Sequence, residues 1–271
     1  MASALRPGFH EDQVGIIKSF IRHHLADSGR AGLVLGMSGG VDSSLVAKLC
    51  ADAVGPERIL GSWLGEGPPR GDDHRDAWAW AERLGILFRE IDIAPMVREF
   101  TDHPQMAAGD RVARGNIVAR VRMIVLYDIA RREHRLVMGT GNKSEGLCGY
   151  FSKFGDGGVD FLPIGDLYKT QVREMARFLG LPARIIDKVP SAGLWSGQTD
   201  EEELGVTYEV LDRILLGLEL RMSSEDIAER VGVSGATVGH VEQLYKSSVH
   251  KRKPPLIPKV GIRTIGIDWR E

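Results

Sequence analysis

The segment Gly36–Ser44 combines glycine, serine and aspartate in the order Gly-Met-Ser-Gly-Gly-Val-Asp-Ser-Ser. Glycines let several backbone N–H groups approach one anion closely, and Ser38 and Ser43 add hydroxyl donors. Asp42 would repel a phosphate unless a cation lies between them, so this aspartate indicates Mg²⁺ ligation. The segment therefore predicts a site for a polyphosphate and its magnesium ion. The alternative is a tight strand-to-helix turn in which Asp42 or Ser43 only caps the helix.

Residues 139–170 form a second polar, glycine-rich segment. Connections longer than about a dozen residues are uncommon in compact domains unless they are functional or disordered. The aromatic and apolar residues of this segment disfavour disorder. Glu145 can complete a metal site with Asp42, and Lys153 and Lys169 can neutralise phosphates. Taken one at a time, each of these residues also fits an ordinary structural role, such as a helix cap or a solvated lysine.

Both segments follow elements with the pattern of an α/β sheet. Predicted strands cover residues 32–37, 59–64, 86–91 and 136–139, and predicted helices cover 11–27, 72–85, 111–133 and 168–180. One more helix is predicted after the first strand, with its apolar face marked by Leu45, Val46, Leu49, Cys50 and Ala53. This alternation predicts a doubly wound, mostly parallel, Rossmann-like sheet. Because such sheets bind ligands beyond the carboxyl ends of their strands, both polar segments are expected at that edge.

The last third of the chain is mainly helical. Helical patterns at 206–217, 224–231 and 235–247 precede a basic tail over residues 250–271. We expect a single domain over residues 1–271 with a C-terminal helical appendage at about 205–250, since that part is too small to hold its own core. A separate domain starting near residue 200 is the alternative.

Composition excludes several classes of protein. The 271 residues include 35 basic and 37 acidic side chains, and this near-neutral balance argues against a dedicated nucleic-acid binder. A hydrophobic share of 43% excludes a disordered chain. Two cysteines cannot form a disulfide scaffold, which predicts a reduced, cytoplasmic location. No signal core or bilayer-length apolar run is present, so no membrane segment is expected.

The phosphate segment differs from two common nucleotide motifs. It has no lysine where a Walker P-loop requires one, and it lacks the Gly-x-Gly-x-x-Gly fingerprint of dehydrogenases. It resembles the loop of the N-type ATP pyrophosphatases, which split ATP into AMP and pyrophosphate. That resemblance implies that the chain adenylates a substrate. GMP synthetases, asparagine synthetases, NAD synthetases and tRNA-modifying enzymes share this loop.

The second segment resembles the NAD synthetases. Their patterns Gly-Thr-x-x-x-[Ser/Ala]-Glu and Lys-[Phe/Tyr]-Gly-Asp-Gly-Gly-x-Asp stand at 139–145 and 153–160, and the likeness covers about residues 10–260. It implies an adenine nucleotide α hydrolase-like fold and an ammonia-dependent ligase. In the implied reaction, the nicotinate carboxylate of deamido-NAD attacks the α-phosphorus of ATP and releases pyrophosphate. Ammonia then displaces AMP from the acyl-adenylate, giving NAD⁺.

The resemblance also implies the roles of individual residues. ATP would contact Gly36, Met37, Ser38, Gly39, Gly40, Val41, Asp42, Ser43, Thr140, Lys169 and Ser191. Deamido-NAD would contact Arg120, Lys153, Asp160, His250 and Lys251, and Asp42 with Glu145 would hold Mg²⁺. No covalent catalytic residue is expected, because positioning and charge suffice for this chemistry. Family members are homodimers, and no nucleic-acid or membrane partner is expected.

The sequence departs from the family pattern at several positions. Thr140 is followed by Gly-Asn-Lys-Ser, which resembles the archaeal-type branch, and Ser191 replaces a threonine but keeps the hydroxyl. Residues 65–76 fit poorly, so no ATP contact is predicted there. Arg120 is one of seven arginines in residues 111–135, and a surface role is its alternative.

Free ammonia is the expected nitrogen source. Glutamine-dependent members carry an extra amidase domain with a cysteine nucleophile, whereas Cys50 lies on an apolar helix face and Cys148 lies in the substrate segment.

One competing interpretation is another adenylating enzyme, such as a GMP synthetase subunit or a tRNA-modifying enzyme. Another is a helix-turn-helix DNA-binding module at Ser224–Val238, although this region carries little positive charge. Its simpler interpretation is a helical hairpin that positions His250 and Lys251.

Overall fold

The structure, a computed structural model, describes residues 5–105, 110–195 and 197–264. Its sheet has four parallel strands in the order β3-β2-β1-β4. They are β1 Gly32–Gly36, β2 Ile59–Gly65, β3 Leu87–Asp92 and β4 Arg135–Met138. The chain winds outward from β1 to β3 and then returns to the other side of β1. The carboxyl ends of β1 and β4 therefore flank the topological switch point, where such sheets bind ligands.

Helices cover both faces of the sheet. They are α1 Asp12–Ser28, α2 Val41–Val54, α3 Asp72–Leu84, α4 Ala94–Thr101, α5 Arg111–Arg132, α6 Lys143–Cys148, α7 Lys169–Phe178, α8 Ala183–Ile186, α9 Asp200–Leu204, α10 Tyr208–Glu219, α11 Ser224–Val231 and α12 Gly235–Ser247. Successive side chains of β1 point to opposite faces. Leu33 and Leu35 join the apolar cluster with α1, α2 and α7, whereas Val34 packs in the cluster with α4 and α5. The predicted doubly wound parallel sheet is thus confirmed.

The C-terminal helices α10 to α12 pack around a third apolar cluster. Tyr208, Ile214 and Ile227 are fully buried within it. Cys148 and Tyr168, which belong to the 139–170 segment, complete this cluster. The helical part therefore shares its core with the segment that carries the candidate site and holds that segment in place.

The predicted strands and long helices all occur, and each bound given from the sequence lies within two residues of the observed one. The helix marked by Leu45 and Ala53 is α2, which begins four residues before Leu45. The short helices α4, α6, α8 and α9 carry too few apolar repeats to be predicted from periodicity. No helix among the described residues is long and apolar enough to cross a membrane. Residues 265–271 of the predicted basic tail lie outside the described residues.

Candidate active site

The phosphate segment links β1 to α2 at the switch point. α2 begins after Gly40, and a glycine has no side chain with which to cap the exposed N–H groups of the first turn. Asp42 and Ser43 lie inside the first turn, so the alternative that either residue only caps the helix is wrong. The Ser43 hydroxyl accepts a hydrogen bond from the Ser38 N–H at 3.2 Å and donates to the Gly40 carbonyl at 3.2 Å. A 14-residue helix therefore directs its positive end at a loop held by hydroxyl groups.

Gly39 allows the first turn of α3 to pack directly on this loop. Its φ of +77° lies in the left-handed region, and an added Cβ would stand 2.1 Å from the Asp73 carbonyl oxygen. Only glycine fits both conditions. Residues 65–76 therefore contribute backbone packing to the phosphate loop, although the sequence predicts no ATP contact from them.

Two carboxylates and one lysine converge beside the loop. The Lys169 ammonium lies 2.5 Å from Asp42 Oδ2 and 3.4 Å from Glu145 Oε1. The Asn142 amide donates to Asp42 Oδ1 at 3.0 Å, which joins the 139–170 segment to α2. The side chain of Lys169 is only 3% exposed. The two carboxylates predicted as a metal site and the lysine predicted to neutralise phosphate thus form one largely buried charged cluster.

Burial and neighbouring charges together set the protonation of this cluster, with burial as the largest cause at Glu145. Burial raises the pKa of Glu145 to about 8; the charge of Lys169 opposes this shift, and the charge of Asp42 adds to it. Burial alone would lower the pKa of Lys169, but Asp42 and Glu145 together raise it above its usual range. Burial also raises the pKa of nearby Asp200, whose Oδ1 atom is buried without a hydrogen-bond partner. The cluster is therefore a cation-binding environment in which Lys169 already supplies one positive charge.

Helix caps position the acidic and basic groups. Asn142 and Glu145 form a capping box at the start of α6, with reciprocal hydrogen bonds of 3.1 and 3.0 Å. The fully buried Asp212 accepts from the Ser144 hydroxyl and from the Thr170 N–H at 2.8 Å. The Ser144 hydroxyl in turn accepts from the Lys169 N–H at 2.9 Å. Asp212 therefore fixes α6 and α7 relative to each other.

Sequence reasoning missed Asp212, although a signal was present. A lone aspartate interrupts the apolar face of the predicted helix 206–217, and a buried carboxylate requires donors. Burial raises the pKa of Asp212 to about 6, against the opposing effect of its hydrogen bonds.

Thr140 and Ser191, two further residues predicted to contact ATP, lie in the segments that follow β4 and α8. Thr140 follows β4, two residues before Asn142, and is partly buried. Ser191 is exposed, and its hydroxyl accepts from the Gly193 N–H at 3.1 Å. The segment between α8 and α9, which contains Ser191, contacts the phosphate loop through Lys188, whose ammonium lies 2.9 Å from the Gly39 carbonyl.

Four of the five residues predicted to bind the dinucleotide lie together. Arg120 donates to the Lys153 carbonyl at 3.2 Å, and the Lys153 ammonium donates to the His250 carbonyl at 2.9 Å. Lys251 donates to the carbonyls of Gly149 and Phe151 at 2.7 and 2.9 Å. These cationic side chains tie the C-terminal segment to the 139–170 segment.

Asp160 makes different contacts. Its two carboxylate oxygens accept from the Tyr127 hydroxyl at 3.1 Å and the Val137 N–H at 2.7 Å. The next residue, Phe161, forms a parallel bridge with Met138 at the end of β4. Asp160 thus fixes the segment to the sheet edge, and each oxygen keeps a further lone pair for a ligand.

The two cysteines are not arranged as nucleophiles. Cys50 and Cys148 are both buried free thiols. Burial raises the pKa of each thiol to about 12, so both are protonated near neutrality.

The helical hairpin packs inward. On α12, a ring nitrogen of His240 lies 2.8 Å from the Leu204 carbonyl oxygen. Directly after α12, Ser248 and Arg252 donate to the Leu147 carbonyl at 3.2 and 2.7 Å. The hairpin thereby carries His250 and Lys251 to the 139–170 segment, as its simpler interpretation requires.

The number of carboxylates near the phosphate loop bears on whether a magnesium ion can bind there. The described residues contain no group of three or more His, Cys, Asp or Glu side chains that can hold a metal. Mg²⁺ is commonly bound by one or two carboxylates together with substrate phosphates. Asp42 and Glu145 provide that number of carboxylates beside the phosphate loop, so the residues fit a metal that arrives with a nucleotide.

Comparisons with known proteins agree with this geometry. The family model described as NAD synthase matches residues 13–255. An NH3-dependent NAD⁺ synthetase from Pyrococcus furiosus is 48% identical over 237 residues, which are 87% of this chain and 91% of that protein. The solved NMN synthetase of Francisella tularensis is 34% identical with a TM-score of 0.81, and the match covers 93% of this chain and 100% of that one.

A third comparison extends the likeness to a more distant member. The NH3-dependent NAD synthetase of Campylobacter jejuni is 28% identical with a TM-score of 0.78, over 92% of this chain and 98% of that one. The adenine nucleotide α hydrolase-like fold is therefore confirmed. Since the family model spans nearly the whole chain and the relatives match over most of their length, this chain belongs to the NAD synthase family.

Proposed function

We propose that this chain is an ammonia-dependent NAD⁺ synthetase, a ligase that forms a C–N bond with deamido-NAD, ATP and ammonia. The observation that carries the proposal is the meeting of Asp42, Glu145 and Lys169 at the phosphate loop. Arg120 and Lys251 donate to backbone carbonyls of the same 139–170 segment, to which Lys153 belongs. Relatives that are 44–48% identical bear this enzyme's name.

In the first step, the nicotinate carboxylate attacks the α-phosphorus of ATP. Both reactants are anionic, so their approach requires positive charge and N–H donors. The α2 N-terminus, Ser38 and Ser43 would bind the pyrophosphate part, and Lys169 would neutralise charge beside it. Pyrophosphate leaves as the carboxylate becomes an acyl-adenylate.

In the second step, ammonia attacks the activated carbonyl and AMP leaves with its bonding electrons. The protein need not form a covalent bond, since the adenylate already supplies the leaving group. This accords with two buried cysteines whose thiols stay protonated. The proposed nitrogen source is therefore ammonia itself.

Asp42 and Glu145 would hold Mg²⁺, and Thr140 and Ser191 would complete the ATP contacts. When bound, the ion would offset the negative charge of the phosphates. Lys169 lies between the same two carboxylates, so it would exchange these contacts for phosphate oxygens when the nucleotide and its metal bind. Asp160, His250 and Lys251 would orient the dinucleotide.

The proposal includes a homodimer that works in the cytoplasm. Val112 and Ile124 of α5 are 62% and 54% exposed, and apolar side chains of this size are common at subunit contacts. Reduced Cys50 and Cys148 fit a reducing compartment. Light scattering on the purified chain would give twice the mass of 29.8 kDa.

A substrate panel tests the function. Purified protein with ATP, Mg²⁺ and ammonium is offered deamido-NAD, nicotinic acid mononucleotide or XMP, and amide product, AMP and pyrophosphate are measured. The mononucleotide is included because one solved relative is an NMN synthetase. We expect one NAD⁺ per pyrophosphate with deamido-NAD and much slower turnover with the others. Turnover only with XMP or only with the mononucleotide would overturn the proposal.

A further inference from the structure

Lys188 lies outside every motif that the sequence analysis singled out, yet it reaches the phosphate loop. It stands between α8 and α9, and its ammonium lies 2.9 Å from the Gly39 carbonyl. The same ammonium lies 2.9 Å from Asp73 Oδ1 and 2.6 Å from Asp76 Oδ2. An ammonium has three N–H donors, so these three acceptors use all of them. Lys188 is therefore bound to the protein rather than poised to bind phosphate.

The contact with Gly39 sets the direction of a backbone donor. In a trans peptide, the carbonyl of one residue and the N–H of the next point in opposite directions. Fixing the Gly39 carbonyl on Lys188 therefore turns the Gly40 N–H away from Lys188, where it donates to the Ser38 hydroxyl at 3.3 Å. This N–H precedes the first turn of α2 and belongs to the group expected to surround a phosphate.

Lys188 also holds the neighbouring helix against the loop. The Asp73 carbonyl packs on Gly39, and the Asp73 side chain accepts from Lys188. Asp76 is only 10% exposed in its side chain and already pairs with Arg184 at 2.9 Å. Because Arg184 provides a charge partner for Asp76, charge compensation alone does not account for a lysine that also reaches Gly39.

We propose that Lys188 is a positioning residue that orients the Gly39–Gly40 peptide of the phosphate loop for ATP. This inference rests on the proposed function only in naming ATP as the nucleotide. It also couples two parts of the site, since Ser191 lies three residues after Lys188. Loss of this lysine should weaken the binding of ATP but not that of the dinucleotide.

The test replaces Lys188 with methionine, which keeps the length of the side chain and removes its donors. We expect the dissociation constant of a non-hydrolysable ATP analogue, measured by calorimetry without deamido-NAD, to rise about ten-fold. The KM for ATP should rise similarly, whereas the KM for deamido-NAD should stay within two-fold. Lys48→Met is the matched control, because Lys48 lies on α2 with a side chain 26% exposed, against 24% for Lys188.

A second variant separates positioning from stability. Lys188→Met leaves Asp73 and Asp76 short of one positive charge, and Lys188→Met/Asp76→Asn relieves that imbalance. We expect the double variant to regain thermal stability but to keep the weak ATP binding, since the Gly39 carbonyl still lacks its donor. It also serves as the test if the single variant does not fold. Wild-type ATP affinity in the double variant would overturn the inference.

The binding measurement distinguishes this inference from the proposed function. If the wild-type chain binds ATP but makes no NAD⁺, the function is wrong while the role of Lys188 is still measured. If NAD⁺ forms and Lys188→Met binds ATP like the wild type, only the role of Lys188 is wrong.

Discussion

The two halves of the candidate site are built from different kinds of contact. Around the phosphate loop, the contacts are between side chains. Lys169 lies between Asp42 and Glu145, and the Asn142 amide donates to Asp42. In the dinucleotide half, cationic side chains bind backbone carbonyls, as Lys153 and Lys251 do. In the first half the side chain of Lys169 is 3% exposed and the carboxylates of Asp42 and Glu145 are 18% and 17% exposed, whereas in the second half Lys153 is partly buried and His250 is exposed.

This difference in contacts predicts a different effect of substitutions in each half. Charges in the buried half interact strongly, so changing one of them alters the stabilisation of the transition state. The carbonyl-bound lysines of the other half organise a surface, and a ligand there replaces contacts of moderate strength. We therefore expect substitutions in the first half to lower turnover and substitutions in the second to weaken substrate affinity.

The largest effect is expected for Asp42→Ala. This substitution removes the carboxylate that pairs with Lys169 and is proposed to bind the metal. Pyrophosphate formation should therefore fall by roughly a thousand-fold. The variant should still fold but melt at a lower temperature, because the buried Lys169 keeps only the more distant Glu145 as a carboxylate partner. Asp52→Ala on the same helix is the control, since Asp52 forms an i,i+4 pair with Lys48 away from the cluster. Substantial turnover by Asp42→Ala would remove it from the site.

Lys169→Met should affect turnover and metal binding in opposite directions. Loss of the lysine is expected to slow pyrophosphate formation about a hundred-fold. Without nucleotide, however, Mn²⁺ should bind the variant more tightly, since no ammonium competes for Asp42 and Glu145. Electron paramagnetic resonance measures free Mn²⁺, and Lys143→Met, which disrupts the pairs with Asp166 and Glu219, is the control. Unchanged or weaker Mn²⁺ binding would contradict the shared cation position.

Lys251→Ala tests the other half. The KM for deamido-NAD should rise about ten-fold, while kcat and the KM for ATP change little. The neighbouring exposed Lys253→Ala serves as the control for net charge. A KM for deamido-NAD equal to that of the wild type would exclude Lys251 from the dinucleotide site.

A smaller, pH-dependent effect is expected for the unliganded protein. The pKa of Glu145 is raised to about 8, mainly by burial, so this carboxyl binds a proton below that pH. Mn²⁺ needs the deprotonated form, and its affinity should therefore fall about five-fold between pH 8 and pH 7. Glu145→Gln should bind Mn²⁺ weakly and without this pH dependence. A flat pH profile in the wild type would show that Glu145 is already ionised.

The sequence predicts local features of this site better than its long-range contacts. The phosphate loop can be recognised in the sequence because its glycines and hydroxyl side chains lie within nine consecutive residues. The alternation of strands and helices then predicts that this loop lies at the edge of the sheet. Asp212 and Lys188 were missed, since their partners lie 68 and 149 residues away. The edge strand β3 was predicted within one residue, like the inner strands, although Leu87 is 52% exposed.

The central claim is that ATP activates the nicotinate carboxylate directly. Deamido-NAD labelled with ¹⁸O in its carboxylate tests this, because the oxygen that attacks phosphorus must leave with AMP. Mass spectrometry of the products should find one ¹⁸O atom in each AMP and one in the amide of NAD⁺. Unlabelled AMP formed alongside NAD⁺ would contradict the account.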